Sequence, residues 1–210
     1  MRRAGVADGL YVITDPGTRA PAQLVQQVAQ ALAGGARLVQ YRDKRADAGE
    51  RHARAAALLS LCRQHGATLI INDDIELAAA LGAPGVHLGA TDTAIAIARQ
   101  RLGAHAIIGA SCYDQLDRAR AAVAAGADYV AFGRFFASHS KPEAVQAQPA
   151  LLMRARRELN VPIAAIGGIT PENGAGLIAA GANLLAVIHG VFGQPDIEAA
   201  ARAYARLFEP

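Results

Sequence analysis

Gly126-Ala127-Asp128-Tyr129-Val130 is one of four copies of a short motif that decides the fold of this 210-residue chain. Each copy, here called the Gly-Ala repeat, has a Gly-Ala step, two variable residues and the start of an apolar strand; the other copies begin at Gly35, Gly82 and Gly181. Successive copies start 47, 44 and 55 residues apart, about the length of two βα units. Four further apolar runs lie at residues 10–13, 69–71, 106–109 and 163–166. Eight strands at this spacing predict a small (β/α)8 TIM barrel that forms one domain over residues 1–210, with its core at about 9–208.

Alanine-rich segments with a 3.6-residue period fill the gaps between these strands and predict eight helices. Their predicted ranges are 21–33, 47–65, 74–81, 93–102, 114–125, 149–159, 171–180 and 196–208. Glycines at the predicted helix ends and the Thr170-Pro171 pair at a predicted start are the usual boundary residues. Strict alternation of strands and helices indicates a parallel sheet that is covered on both faces. Eight units favour a closed barrel, with an open doubly wound sheet as the alternative.

Composition excludes several classes of protein. Hydrophobic residues make up 52% of the chain, enough for a closed core, but the apolar runs are far shorter than a membrane span. The net charge of +3 is spread along the predicted helices, which favours anionic small molecules over nucleic acid as partners. Two cysteines, Cys62 and Cys112, favour a reducing cytoplasm and no disulfide framework. We therefore expect a soluble cytoplasmic protein; its Ala-rich helix faces mark no interface and leave open whether it forms a homo-oligomer.

The segment Gln40-Tyr41-Arg42-Asp43-Lys44 follows the second predicted strand. In such barrels the catalytic and binding residues lie at the carboxyl ends of the strands. Alternation along an extended segment places Gln40, Arg42 and Lys44 on one face and the other two residues on the opposite face. Two cations and an amide on one face suit a phosphorylated ligand, and the alternative is a solvated start of the next helix.

Carboxylates follow the third and fourth predicted strands, where Asn72-Asp73-Asp74 and Asp92 lie. Two aspartates from neighbouring strands, with room for water and phosphate oxygens, are typical of a Mg²⁺ site. Each aspartate could instead cap the helix that follows it, and capping is compatible with metal binding. His87, which lies between two apolar residues, is interpreted as a core histidine with its hydrogen bonds satisfied.

Polar or glycine-rich segments also follow strands five to eight. Ser111 either contacts a ligand or caps a helix, and no histidine–acid pair marks it as a nucleophile. Residues 134–148 form a 15-residue loop, a length typical of lids, binding loops or disorder. Within it, Ser138-His139-Ser140-Lys141 could close over an anion. Gly167-Gly168 either brings amides to a phosphate or forms a tight turn, and the loop that holds Ile188-His189 completes the recurrent phosphate site of these barrels.

The predicted barrel mouth thus holds two anion sites. One combines cations and carboxylates and suits a diphosphate with Mg²⁺; the other is lined by glycine and suits a monophosphate. An isomerase of this fold needs one phosphate site and an acid/base pair. Two phosphate sites and a metal favour a transferase that joins two phosphorylated substrates and releases diphosphate.

In order and spacing, these segments resemble the thiamine phosphate synthase family from about residue 9 to 208. The resemblance is carried by residues 10–15, 40–44, 71–74, 87–89 with Asp92, 109–111, 138–141 after Phe132-Gly133, and 165–169. It implies a Mg²⁺-dependent condensation of 4-amino-2-methyl-5-hydroxymethylpyrimidine diphosphate with 4-methyl-5-(2-phosphoethyl)thiazole, or its carboxylated form. The products would be thiamine phosphate and diphosphate. The implied mechanism is dissociative: diphosphate departs from a pyrimidine carbocation, which the thiazole nitrogen captures.

The resemblance also implies a role for each matching residue. Residues implied to hold the pyrimidine diphosphate are Gln40, Tyr41, Arg42, Asp43, Lys44, Asn72, Ser111 and Lys141. Those implied to face the thiazole phosphate are Ser138, His139, Ser140, Gly168, Ile188 and His189. Asp73 and Asp92 would bind Mg²⁺, and Arg42, Lys44, Ser111 and Lys141 would carry the catalysis.

The chain departs from the family pattern at a few positions. Ala90 replaces a usual glutamine, Ser138 and Ser140 replace threonines, and His189 replaces a common serine. None of these changes removes an implied metal ligand or diphosphate cation, so we expect activity to be retained.

Three alternative functions remain at this stage. A thiazole tautomerase of the same superfamily would lack the paired aspartates and would carry a catalytic histidine where this chain has Arg134. A non-catalytic thiamine-pathway protein would bind thiamine phosphate without turnover. A phosphosugar isomerase would need an acid/base pair at the strand ends, and the sequence offers little sign of one.

Overall fold

The computed structural model describes residues 6–15, 20–89, 92–137 and 146–209. Its strands are β1 (Gly9–Ile13), β2 (Leu38–Tyr41), β3 (Thr68–Asn72), β4 (Gly85–Leu88), β5 (Ile107–Tyr113), β6 (Tyr129–Phe132), β7 (Ile163–Ile166) and β8 (Leu184–Val187). Each strand pairs in parallel with the next, and β8 pairs with β1 in the register Gly9↔Leu184. The predicted (β/α)8 barrel is therefore confirmed, and the open-sheet alternative is wrong.

The helices are α1 (Pro21–Ala33), α2 (Ala48–Gln64), α3 (Ile75–Leu81), α4 (Asp92–Leu102), α5 (Leu116–Ala124), α6 (Pro149–Glu158), α7 (Pro171–Ala179), α8 (His189–Phe192) and α9 (Ile197–Ala205). A 3₁₀ turn, Arg206–Phe208, continues α9. All eight predicted helices are present, with ends within about two residues apart from the end of the last, which is the 3₁₀ turn. The sequence did not predict α8, because four residues are too short to show a helical period. No helix in the described ranges is long and apolar enough to cross a membrane.

The Gly-Ala repeat has a common local structure. Its four glycines, Gly35, Gly82, Gly126 and Gly181, all have positive φ, between 58° and 120°. The alanine that follows each glycine donates its N–H to a carbonyl five residues earlier, at 2.9–3.1 Å. This is the Schellman ending of a helix, for which glycine is favoured. The repeat therefore ends a helix and directs the chain into the next strand.

Alternation along the strands separates two apolar layers. Val39 and Tyr41 pack in the layer between the sheet and the helices, whereas Leu38 packs inside the barrel. The interior also holds two large side chains, Tyr11 and Tyr129, which are almost fully buried. Gly109 of β5 provides the space for one of them, because a Cβ there would lie 2.1 Å from the ring of Tyr129.

The amino-terminal end of the barrel is closed by polar side chains from two copies of the repeat. Asp128 accepts a hydrogen bond from the Ile108 N–H at 2.8 Å and forms an ion pair with Arg99 of α4. Asn183 occupies the same place in its own copy and accepts from the Ile163 N–H at 3.1 Å. Both side chains thus satisfy a backbone donor at the start of β5 or β7.

Candidate active site

The segment after β2 holds two cationic side chains at the carboxyl end of the barrel. The hydroxyl of Thr14, at the end of β1, accepts from the Arg42 N–H at 2.9 Å and donates to the Arg42 carbonyl at 3.2 Å. This pair of bonds fixes the backbone at Arg42. The Arg42 side chain is half-buried and Lys44 is exposed, and neither side chain pairs with another residue of the described ranges. Both charges are therefore available to a ligand.

Asp43 anchors the same segment to α2. Its carboxylate, only 1% exposed, lies 2.6 Å from the guanidinium of Arg54 and accepts from the N–H groups of Arg45 and Ala46 at 3.0 and 3.1 Å. Burial raises the pKa of Asp43, but these three donors outweigh it and hold the pKa below its usual value. The predicted alternation is confirmed for Tyr41, which packs toward the helices. Contact of Tyr41 and Asp43 with substrate stays a prediction.

The two aspartates at the end of β3 make different contacts. Asp74 caps α3 and accepts from the Leu77 N–H at 2.9 Å. Asp73 does not cap: its carboxylate accepts from the Asn72 amide at 2.8 Å, and its N–H donates to the His87 carbonyl at 2.9 Å. Its φ of 60° is a strained conformation for a residue other than glycine, a feature that clusters at functional sites.

The other predicted metal ligand begins α4. Asp92 is the first residue of that helix, after β4, but its side chain lies outside the described part of the structure, as does Ala90. Binding of Mg²⁺ by Asp73 and Asp92 therefore stays a prediction.

A chain of hydrogen-bonded side chains crosses the barrel interior. The Gln40 amide nitrogen donates to the Tyr11 hydroxyl at 2.6 Å, and the Tyr11 and Tyr129 hydroxyls are 2.8 Å apart. The Tyr129 hydroxyl lies 2.8 Å from Nδ1 of His87, whose Nε2 lies 2.9 Å from the Ser111 hydroxyl. We call these five residues the interior relay. The relay joins two residues that the sequence placed in the substrate site, Gln40 and Ser111.

The relay settles two predictions about single residues. His87 is a buried histidine with both nitrogens bonded, as predicted, and burial lowers its pKa to about 4 although Asp73 acts in the opposite direction. The alternative that Ser111 caps a helix is wrong, because α5 begins after Gln115. Contact of Ser111 with a ligand stays a prediction.

The loop after β6 passes over the glycines that follow β7. The N–H groups of Phe135 and Phe136 donate to the carbonyls of Ile166 and Gly167 at 3.1 and 3.0 Å. A Cβ on Gly168 would lie 2.2 Å from the Ala137 carbonyl oxygen. Close approach of this loop therefore requires glycine there, whatever its role toward a phosphate. The loop residues Ser138, His139, Ser140 and Lys141 lie outside the described residues.

The loop after β8 contains the last predicted site residues. Ile188 is half-buried beside the interior cluster, and His189 is exposed at the start of α8. The His189 ring lies against Gly193, where a Cβ would be 2.3 Å from its Cε1. From α9, the Tyr204 hydroxyl donates to the Ile169 carbonyl at 2.8 Å and ties α9 to the loop after β7.

Reasoning from the sequence missed three residues that organise this site: Thr14, Tyr11 and Tyr129. A signal was present, because each of the three bears a hydroxyl and lies on or directly after a short apolar strand. Their partners depend on the register of strands that are distant in sequence, which spacing alone does not give.

The sequence is similar to that of known proteins over almost its whole length. The family model described as thiamine monophosphate synthase matches residues 10–191. The chain is 56% identical over 200 residues to the thiamine-phosphate synthase of Nitrosococcus oceani, covering 95% of this chain and 92% of that protein. It is 54% identical over 201 residues to the thiamine-phosphate synthase of Chromobacterium violaceum, covering 96% of each.

A solved structure shows the same likeness. The thiamine phosphate pyrophosphorylase from Pyrococcus furiosus superposes with a TM-score of 0.85 at 33% identity, covering 95% of this chain and 94% of that one. The predicted resemblance is thereby confirmed over nearly the whole chain. The chain belongs to the thiamine monophosphate synthase family and is a transferase.

Proposed function

We propose that the chain joins 4-amino-2-methyl-5-hydroxymethylpyrimidine diphosphate to the thiazole phosphate, or its carboxylated form, and releases thiamine phosphate and diphosphate, with CO₂ as a third product when the thiazole is carboxylated. The observation that carries the proposal is the pair of cations, Arg42 and Lys44, on an anchored segment after β2, the neighbouring strand of β3, which Asp73 follows. Their side chains have no partner within the described residues, although Asp43 between them is fully paired. A diphosphate would supply the negatively charged partner that these two cations lack within the described residues.

A divalent ion fits the same place. Mg²⁺ prefers hard oxygen ligands, and Asp73 offers a carboxylate that accepts from the Asn72 amide, while its backbone N–H donates to the His87 carbonyl. We assign Asp73 and Asp92 as the residues that would hold the ion. When bound, Mg²⁺ would neutralise charge on the diphosphate and so favour its departure.

The chain's own residues then act by position and charge. Arg42, Lys44 and Lys141 stabilise the diphosphate as the bond between its oxygen and the pyrimidine methylene carbon breaks, with the electron pair leaving on oxygen. The lone pair of the thiazole nitrogen forms the new carbon–nitrogen bond, so no proton has to move when the thiazole is not carboxylated. With the carboxylated form, CO₂ leaves the thiazole ring and a proton from water takes its place. Alignment of the two substrates supplies the rest of the catalysis.

The second phosphate is assigned to the loops after β7 and β8. Gly168, Ile188 and His189, together with Ser138, His139 and Ser140, would surround it. Supporting this assignment, the N–H groups of Gly168 and Gly190 donate to no residue of the described ranges. Backbone amides of this kind are suited to phosphate.

The cellular location is proposed on different grounds. Cys62 and Cys112 are both buried free thiols, and a reducing compartment keeps thiols in that state. We therefore assign the activity to the cytoplasm.

The test is to mix the purified chain with both phosphorylated precursors and Mg²⁺ and to measure thiamine phosphate and diphosphate. Equal amounts of the two products, lost on chelation of the metal, are expected. A folded protein that gives neither product at high enzyme concentration would overturn the proposal. Tight binding of thiamine phosphate without turnover would instead support a binding protein, and isomerisation of the carboxylated thiazole alone would support a tautomerase.

A further inference from the structure

We propose that the interior relay has a fixed direction, which makes Ser111 a hydrogen-bond donor toward the pyrimidine ring and makes His87 and Tyr129 positioning residues. This inference rests on the proposed function for the identity of the ligand, but its direction follows from the relay alone. The relay runs from Gln40 through Tyr11, Tyr129 and His87 to Ser111.

Counting protons gives the direction. The amide nitrogen of Gln40 can only donate, so the Tyr11 hydroxyl accepts from it. The single proton of Tyr11 is then donated to Tyr129, the other partner of its hydroxyl. Tyr129 in turn donates its proton to Nδ1 of His87. A neutral imidazole that accepts at Nδ1 carries its proton on Nε2, and this N–H donates to the Ser111 hydroxyl.

The opposite direction leaves an unpaired proton. If Tyr129 donated to Tyr11, the Tyr11 hydroxyl would accept twice and its own proton would have no acceptor in the described residues. Tyr11 is only 1% exposed, so water cannot readily replace that acceptor. A buried polar hydrogen without a partner is unfavourable, and the structure therefore selects the first direction.

The two ends of the relay then have opposite character. Ser111 accepts from His87, so its own proton remains to be donated to a ligand in the mouth. Gln40 uses its amide nitrogen inside the barrel, so its amide oxygen remains as an acceptor. An aminopyrimidine has the complementary groups, because its ring nitrogens accept and its exocyclic amino group donates. The relay therefore fits an aminopyrimidine and selects against an oxopyrimidine, in which the ring N–H donates and the oxygen accepts.

The direct test is ¹⁵N NMR of the histidine side chains in the ligand-free protein. Long-range proton–nitrogen spectra distinguish the Nε2–H from the Nδ1–H tautomer, and backbone triple-resonance assignment identifies His87 among the six histidines. We expect His87 as the Nε2–H tautomer. An Nδ1–H tautomer, a mixture of the two, or a doubly protonated ring near neutral pH would overturn the direction. This readout needs no substrate, so it can fail while the proposed function stands, and the reverse also holds.

The positioning role is tested by a matched pair of variants. Tyr129→Phe and Tyr204→Phe each remove one buried hydroxyl, but only the first belongs to the relay. We expect Tyr129→Phe to raise the KM for the pyrimidine diphosphate about tenfold, the effect of one lost hydrogen bond. Its KM for the thiazole phosphate should stay within about twofold, and Tyr204→Phe should leave the KM for the pyrimidine diphosphate unchanged.

Two results with these variants would contradict the positioning role of Tyr129 and His87. Equal changes in both KM values for Tyr129→Phe, or an unchanged pyrimidine KM with intact fold, would mean that the relay is only structural. The fold of each variant is checked by its circular dichroism and thermal unfolding, and Ser111→Ala provides a second route to the same loss of donor. Ser111→Ala with an unchanged pyrimidine KM would likewise overturn the role.

Discussion

Polar side chains at the two ends of the barrel differ in whether they have partners within the protein. At the amino-terminal end, Asp128 and Asn183 bind backbone N–H groups and side chains of the protein itself. At the carboxyl end, Arg42 and Lys44 have no partner in the described ranges, and Asp73 is held in a strained conformation. The first arrangement lowers the free energy of the folded state, whereas the second leaves charge available for a ligand.

This difference explains how one repeated motif serves two purposes. Each Gly-Ala copy ends a helix and starts a strand, so the copies are alike at the amino-terminal end. The segments that follow their strands differ, and these segments hold the proposed site. We therefore expect substitutions at the amino-terminal end to change mainly the stability of the fold and substitutions at the carboxyl end to change mainly its activity.

The largest effect on stability is expected for Asp128→Ala. It removes the ion-pair partner of Arg99, which keeps only backbone carbonyls as acceptors, and leaves the Ile108 N–H without its acceptor, so the free energy of unfolding should fall by about 3–5 kcal/mol. The kcat/KM of the folded fraction should stay within about twofold. Chemical denaturation followed by fluorescence measures the first quantity, and a steady-state assay the second. Asp128→Asn, which copies the natural Asn183, is the matched control and should lose much less; equal losses would show that the backbone acceptor has no special role.

The corresponding substitution at the carboxyl end is Arg42→Ala. We expect kcat/KM to fall by about 10²–10³-fold, because a charge that faces the leaving group is lost. The free energy of unfolding should change by less than about 0.5 kcal/mol, because the side chain has no partner in the described ranges. Arg154→Ala on the exposed face of α6 controls for loss of positive charge. A stability loss as large as that of Asp128→Ala would remove the distinction between the ends.

Asp43 differs from its neighbours Arg42 and Lys44, since it is a paired charge at the carboxyl end. Replacing it by asparagine should lower the unfolding free energy by about 1–3 kcal/mol, because the ion pair with Arg54 is lost. The pKa of Asp43 is lower in the folded than in the unfolded state, so its contribution is present above about pH 4 and is lost as the pH falls further. Denaturation curves between pH 2 and 7 should therefore depend less on pH for Asp43→Asn than for the wild type. Parallel pH dependence in the two proteins would contradict this assignment.

A smaller effect is expected for Gly168→Ala. Gly168 and Gly82 have nearly the same φ, 63° and 58°, but only Gly168 has a neighbour in the way of a Cβ. Both alanine variants should lose about 1–2 kcal/mol through the left-handed conformation, and Gly168→Ala should lose more than Gly82→Ala because its Cβ also meets the Ala137 carbonyl. Gly168→Ala should also raise the KM for the thiazole phosphate, because the loop that carries Ala137 has to move. Identical stability and kinetics for the two variants would show that the close approach is unimportant.

The sequence predicts most of this fold because the 3.6-residue period and the spacing of the Gly-Ala copies recur along the whole chain. It also predicts which described segments lie at the carboxyl ends of the strands, since all eight strands of such a barrel point the same way. Alternation even separates Gln40, which faces the interior, from Tyr41, which faces the helices.

Other features could not be predicted because they depend on register and contact in three dimensions. The interior relay needs five strands in a particular alignment, and only the pairing of the strands provides it. The division of roles between Asp73 and Asp74 depends on a backbone conformation that two adjacent aspartates do not reveal. The need for glycine at 168 depends on a loop more than 30 residues earlier.

Charge that is available to a ligand lies at the carboxyl end of the barrel, whereas the paired charge of Asp128 lies at the amino-terminal end. The shift in melting temperature on adding diphosphate and Mg²⁺ to the wild type, Asp128→Asn and Arg42→Ala distinguishes the two ends. At 100 times the dissociation constant, binding adds about 2.7 kcal/mol, or about 5–10 °C for a domain of this size. We expect this shift for the wild type, the same shift from a lower starting temperature for Asp128→Asn, and little or none for Arg42→Ala. Equal shifts in all three proteins, or none in the wild type, would contradict this difference between the two ends.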